Sequence, residues 1–263
     1  MNILIPVLLF AGMGLLAGIL LTIASKIFAV QTDPRQEQIT EALPGANCGG
    51  CGFAGCADYA AAVAAGTAAP DRCRPGGAAV AEKIGAILGI EVEPGDPMVM
   101  TVHCSGTCNS VRKLYDAADM TSCAAAKSFY GGSGMCRFGC LGLGDCAAVC
   151  DEQAISIRDG VAFVDPVRCI ACGKCASACP NALLSLRPVR RHVVVVACSS
   201  ADNGRLTQQA CDNGCIGCRL CMKKCPKGAI TVEQFHAVID YDKCIGCGLC
   251  TKVCPTGAVR KIT

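Results

Sequence analysis

By its pattern of apolar and polar positions the chain divides into one long apolar run, an alanine-rich stretch and two halves built from short alternating segments. Residues Ile3 to Ala24 carry no charge and one hydroxyl, Thr22, before Ser25 and Lys26. Twenty-two residues at 1.5 Å rise make about 33 Å of helix, enough to cross the hydrocarbon layer. A cleaved signal peptide is the alternative, but no basic segment precedes the run, the run is too long, and no small-x-small cleavage site follows. The pattern predicts a transmembrane anchor over residues 1–27. Lys26 and Arg35 behind it place the rest of the chain on the cytoplasmic side of the cell membrane, as a single-pass protein. Gly14 and Gly18 form a small-xxx-small pair of the kind that lets a second helix approach.

After a polar stretch, Gln31 to Ile39, the segment Asp58 to Ala65 reads as an alanine-rich helix, with Pro70 and Pro75 bracketing a return and a domain end near Gly89. Pro94 and Pro97 break the next segment, in which MVMTVHC reads as an apolar strand and Val111 to Ala118 as helix. Two later stretches, AISIRDGVAFVD and AITVEQFHAVID, read as short β-hairpins.

Composition changes what these elements must be held by. Of 263 residues 25 are Cys and 30 are Gly, Trp is absent and aromatics make up 4%. That is too few large apolar side chains for one conventional core, so several small domains are expected, each held by something besides apolar packing. The formal net charge of +3 excludes a polyelectrolyte binder of nucleic acid. Disulfides fit poorly. Cys169, Cys172, Cys175 and Cys179 crowd too closely to pair without strain, the total is odd, and a cytoplasmic body is reducing. Thiolates a few residues apart instead suit metal, gripped loop by loop.

The spacings specify which metal. NCGGCGFAGC supplies Cys48, Cys51 and Cys56, with Cys73 following. Zinc accepts four thiolates too, but this glycine-wrapped three-plus-one set suits an iron–sulfur cube better. Further on, CIACGKCASACP, CIGCRLCMKKCP and CIGCGLCTKVCP repeat the C-x2-C-x2-C-x3-C-P run of bacterial ferredoxins, in which three thiolates hold one cube and the fourth reaches a neighbouring one.

Shifting the sequence by 75 residues superposes nine cysteines without a gap. Cys123, Cys136, Cys140, Cys146 and Cys150 fall on Cys198, Cys211, Cys215, Cys221 and Cys225, and Cys169, Cys172, Cys175 and Cys179 on Cys244, Cys247, Cys250 and Cys254. The second half therefore holds two copies of a two-cluster module. One member fails to match: Cys218 falls on Leu143, inside GCLGLGDC, and Asp151 stands where proline is expected. Either Cys136 supplies the missing thiolate, which its glycine-flexible CRFGC setting favours, or the site holds a 3Fe-4S cluster. Crossed ligation then gives four sets: Cys136, Cys140, Cys146 with Cys179; Cys169, Cys172, Cys175 with Cys150; Cys215, Cys218, Cys221 with Cys254; and Cys244, Cys247, Cys250 with Cys225. With the N-terminal set this makes five 4Fe-4S clusters. Cys104, Cys108 and Cys123 could seed a sixth, buried apolar thiols being the blander alternative, and Cys198 and Cys211 have no role assigned. Five cubes of about −2 each would turn the formal charge into roughly −7.

This order of parts resembles the B subunit of the Rnf complex over essentially the whole chain, with NCGGCGFAGC and the GCLGLGDC variant as its most specific marks. The resemblance implies an electron-transfer subunit of an ion-translocating ferredoxin:NAD oxidoreductase, a translocase exporting sodium ions or protons, that receives electrons from reduced soluble ferredoxin and relays them to its partner subunits.

The residues themselves support a relay and no further chemistry. No dinucleotide fingerprint or Walker loop is present, His103, His192 and His236 are isolated, and no acid–base pair converges. From Cys150 onward 15 Lys and Arg stand against 9 Asp and Glu, with Arg219, Lys223, Lys224 and Lys227 beside one cluster motif. That is either a solvated basic face or a docking patch for a small acidic electron carrier. The expected architecture is α+β: the anchor (1–27), a small α-rich 4Fe-4S domain (28–89), a connector (90–135) and two tandem two-cluster bacterial ferredoxin-like modules (136–187 and 188–263). The competing readings are the iron–sulfur subunit of another membrane oxidoreductase and a membrane-anchored metal or cluster sensor.

Overall fold

The structure, a computed structural model, describes residues 4–27, 33–93, 95–115, 120–189 and 193–262. The apolar run folds as α1 (Leu4–Ile27), and its described side chains from Phe10 to Ile23 are exposed. Among the described residues no helix is long and apolar enough to cross a membrane. Where a transmembrane anchor is expected, the structure shows an exposed apolar helix.

Three helices form the next unit: α2 (Pro34–Ala42), α3 (Cys56–Ala64) and α4 (Gly77–Leu88). Asp33 caps α2 by accepting from the Arg35 amide, and Pro34 starts it where a missing N–H costs nothing. The helices bury Ile39, Tyr59, Ala60, Val63, Val80 and Ile84 against one another. Gly89, at φ +68°, ends α4 in the left-handed conformation that glycine adopts most freely.

Each half of the remaining chain is an outer strand pair, an inner hairpin and short helices. In the first, β1 (Met98–Val102) pairs antiparallel with β4 (Leu184–Pro188), and β2 (Ile155–Arg158) with β3 (Val161–Val164). Between them lie α5 (Cys123–Ser128), α6 (Asp145–Ala148) and α7 (Lys174–Ala178). In the second, β5 (Val193–Val196) pairs with β8 (Val259–Ile262) and β6 (Ile230–Glu233) with β7 (His236–Ile239). Its helices are α8 (Gly204–Ala210), α9 (Leu220–Lys224) and a 3-10 turn at Thr251–Val253.

Both predicted hairpins form, as does the strand in MVMTVHC. That strand is not part of a connector, however: Met98 pairs with Pro188 and Val102 with Leu184, so β1 is the first module's outer strand. The helix expected from Val111 is absent as far as residue 115. There Val111 bridges Cys211 and Lys113 bridges Gly134, which draws the backbone into extended pairing, and residues 116–119 lie outside the described residues. Pro94 and His192 also lie outside them.

Candidate functional site

Apart from the exposed Cys108, Cys218 and Cys247, the cysteines are buried or half-buried within the units that follow α1. In the helical unit the Asn47 side chain accepts from the Cys56 amide at 2.8 Å and pins the glycine-rich loop to the start of α3. Burial pushes the Cys73 thiol up, and the neighbouring Cys56, Cys51 and Cys48 add to it. Tyr59, 1% exposed, donates to the Ala69 carbonyl at 2.8 Å and accepts from the Arg72 amide at 3.2 Å, which holds the strand of chain leading to Cys73. The four expected cysteines are thus brought together.

Cys150, Cys169, Cys172 and Cys175 line one cavity, whose wall also includes Ala46 and Cys48 of the helical unit. Cys215, Cys218, Cys221 and Cys254 line a second. Cys225, Cys244, Cys247 and Cys250 line a third. Each of these cavities is lined by cysteines from both runs of its module. They exist because each hairpin folds its flanking loops over one apolar core, which mixes cysteines from both runs of a module.

The fourth cavity departs from expectation. Cys140, Cys146 and Cys179 line it with Cys123, not Cys136. The Asp145 carboxylate accepts from the Cys123 and Ala124 amides at 2.8 and 3.0 Å and from the Ser122 hydroxyl at 3.1 Å, which docks the start of α5 on the cavity. Burial works against ionising Asp145, but these donors outweigh it and hold the acid below the usual carboxylate range. Cys136 instead has Cys104 and Cys211 as its neighbours. Of the trio Cys104, Cys108 and Cys123, Cys123 lines the cavity of Cys140, Cys146 and Cys179, Cys104 has Cys136 and Cys198 as neighbours, and Cys108 is exposed. Only the gap at Leu143 signalled that a thiol must come from elsewhere; nothing in the spacing pointed to Cys123.

The donor chemistry fits iron–sulfur clusters. Backbone amides donate to sulfur four or five residues after the fourth cysteine of each run: Ala154 to Cys150 (3.3 Å), Leu183 to Cys179 (3.4 Å), Ala229 to Cys225 (3.3 Å) and Val259 to Cys254 (3.5 Å). Such bonds stabilise sulfur carrying negative charge. Among the described residues no group of three or more His, Cys, Asp or Glu is drawn in tightly enough for a single metal ion. One tetrahedral zinc would need its sulfurs within about 4 Å of each other. Burial, reinforced by neighbouring thiols, raises Cys175 to about 12 and Cys146 and Cys250 to about 11. His103 bridges the modules through the Val196 carbonyl and Ser185, whereas His236 meets the nearby Gln234 carbonyl.

Three family models match these regions: an Fe-S cluster family over residues 43–75, a 4Fe-4S binding domain over 162–185 and a 4Fe-4S dicluster domain over 214–258. The B subunit of the ion-translocating oxidoreductase complex of Methanosarcina acetivorans is 43% identical over 234 residues, 89% of this chain and 88% of the relative. The chain belongs to this family of B subunits. Its counterpart in the Na(+)-translocating ferredoxin:NAD(+) oxidoreductase complex of Acetobacterium woodii is 44% identical, covering 92% of this chain and 72% of the relative. The counterpart in the proton-translocating ferredoxin:NAD(+) oxidoreductase complex of Clostridium ljungdahlii is 39% identical over 86% of this chain and 80% of the relative. Relatives named for different ions thus match to similar degrees, so membership of the family does not itself distinguish them.

Proposed function

We propose that this chain is the iron–sulfur electron relay of an ion-translocating ferredoxin:NAD oxidoreductase complex, anchored to the cytoplasmic face of the cell membrane by α1. The observation that carries the reading is the contiguity of the thiol sets. Cys48 belongs to the wall of the cavity of Cys150, Cys169, Cys172 and Cys175. Cys146 lies within electrostatic reach of Cys175, and Cys221 within reach of Cys250. The ligand sets are Cys48, Cys51, Cys56 and Cys73; Cys150, Cys169, Cys172 and Cys175; Cys123, Cys140, Cys146 and Cys179; Cys215, Cys218, Cys221 and Cys254; and Cys225, Cys244, Cys247 and Cys250. When bound, 4Fe-4S clusters supply one-electron transfer. The chain's own residues exclude water from the sulfurs, donate amides to them and set the surrounding charge.

Soluble ferredoxin docks on the second module. Cys218 and Cys247 are the exposed cysteines of their sets, and Arg219, Lys223, Lys224 and Lys227 are exposed around the first. A positive rim beside a solvent-near cluster speeds encounter with an acidic carrier. The other subunits of the complex take the electrons onward.

The test uses the complex purified anaerobically from membranes. Reduced ferredoxin is expected to bleach the visible absorption of the chain's clusters, with a rate falling steeply as salt rises. Charge reversal in Lys223→Glu with Lys224→Glu should slow it about tenfold. A flat salt dependence removes the docking patch, and no bleaching overturns the relay. Deleting residues 1–27 should release the chain from salt-washed membranes; retention there would refute the anchor.

A further inference from the structure

Five cysteines stand outside the five sets: the exposed Cys108, and Cys104, Cys136, Cys198 and Cys211. The last four are the ones that matter here. They come together where the two modules meet. Cys136 has Cys104 and Cys211 as neighbours, and Cys198 has Cys136. Cys104 in turn has Cys198. A Cβ built on Gly106 would lie 3.5 Å from Cys211 Sγ and 3.6 Å from Cys104 Sγ, so both sulfurs border the same point in space. Cys104 and Cys211 are each 6% exposed.

The four are two symmetric pairs. Cys104 follows β1 by two residues and Cys198 follows β5 by two, each strand being the outer strand of its module. Cys136 and Cys211 stand at the same place, four residues ahead of Cys140 and Cys215. Their hydrogen bonds repeat the relation. Cys104 Sγ accepts from the amides of Gly106 (3.4 Å) and Cys140 (3.3 Å). Cys198 accepts from Ser200 and Cys215, the equivalent donors. Cys136 accepts from Phe138 and Gly139, and Cys211 from Asn213. The frame is reciprocal too: the Ser105 hydroxyl donates to the Ala197 carbonyl at 3.0 Å, and Ser199 donates to the His103 carbonyl at 3.1 Å. The modules therefore meet about a local two-fold relation with four buried or half-buried thiols at its centre. Every one of these thiols already accepts the amide donors that a thiolate bound to iron requires.

We infer that Cys104, Cys136, Cys198 and Cys211 hold a sixth 4Fe-4S cluster, shared between the two modules. Each thiol gives up its proton as its sulfur binds one iron. The site lies between two sets already described: the amide of Cys140 reaches its Cys104, and the amide of Cys215 reaches its Cys198. It closes the gap between the modules and turns two separate pairs of clusters into one continuous path. The inference rests on the iron–sulfur reading of the other five sets.

The experiment counts iron and acid-labile sulfide on the full chain after anaerobic reconstitution. Six clusters give about 24 irons per chain, five about 20. Cys136→Ala and Cys211→Ala should each lower the count by about four, whereas Cys108→Ala, at an exposed cysteine of the same region, should leave it unchanged. Electron paramagnetic resonance of the reduced protein should lose the same signal in both variants, while near-native circular dichroism shows that the fold survives. A count of about 20 in the native chain, unchanged by either variant, overturns the sixth site and leaves the five-cluster relay standing. A chain that takes up no clusters overturns both. Should Cys136→Ala fail to fold, Cys136→Ser with the same count and signal decides.

Discussion

Gly50 and Cys172 belong to different units, yet a Cβ on Gly50 would lie 2.8 Å from the Cys172 carbonyl oxygen. The helical unit thus docks on the first module through a glycine, backbone against backbone, and this brings Cys48 to the neighbouring cavity. Gly50→Ala should force the units apart and lower the stability of the reconstituted chain by about 1–3 kcal/mol. Gly95→Ala, where a Cβ meets nothing within 4 Å, is the control. Equal denaturation midpoints for the two variants would show that the contact is not needed.

Cys123 lines the cavity at which the repeat has lost a thiol, and the proposed ligand set includes it. Cys123→Ser is expected to cost up to four irons per chain or leave a three-iron cluster, visible in the oxidised protein by electron paramagnetic resonance. Adding Leu143→Cys, which restores the ligand seen at Cys218 in the second copy, should return the four-iron form. If Cys123→Ser changes neither iron content nor spectrum, the assignment is wrong.

Tyr59 couples α3 to the segment before Cys73. Tyr59→Phe leaves the Ala69 carbonyl and the Arg72 amide without their partner at a site 1% exposed. The expected loss is about 1–3 kcal/mol. Under a chelator, four irons should leave this variant ahead of the rest; uniform loss from all sites would contradict the local role.

His103 predicts a pH dependence at the module junction. Its Nδ1 meets the Val196 carbonyl at 2.9 Å, an acceptor only, so Nδ1 carries the proton and Nε2 accepts from Ser185 at 2.6 Å. Burial lowers its pKa, outweighing the carbonyl's opposite pull. The unfolded chain then binds the proton more readily than the folded one. This contribution to stability is fully present above about pH 6.5, the unfolded value, and is lost as pH falls through the lowered folded value. His103→Gln should flatten the slope of stability against pH in that window, measured by urea denaturation. An unchanged slope would exclude His103 as its source.

What was legible in the sequence follows from how far apart the cooperating residues lie. Runs such as Cys169 to Cys179 announce themselves because one loop carries the spacing, and the 75-residue repeat shows the two-cluster module to be duplicated. The strand at Met98 was readable from its apolar residues, but its pairing with Leu184 to Pro188, closing a long excursion of chain, was not. Cys136 was misplaced for the same reason. Local flexibility suggested that it could swing toward Cys140, whereas the junction turns it toward Cys104 and Cys211. The helix expected at Val111 gave way to a bridge with Cys211, a tertiary preference that overrides local propensity.

Cys108 acquires a use from its isolation. With six sets of four, it is the one thiol of 25 not engaged, and it is exposed. The fully loaded native chain should therefore react with a single equivalent of maleimide, and each missing cluster should reveal up to four more reactive thiols. Thiol titration thus becomes a gauge of occupancy that needs no iron assay, and Cys108 an attachment point for one fluorophore or spin label without altering any other residue.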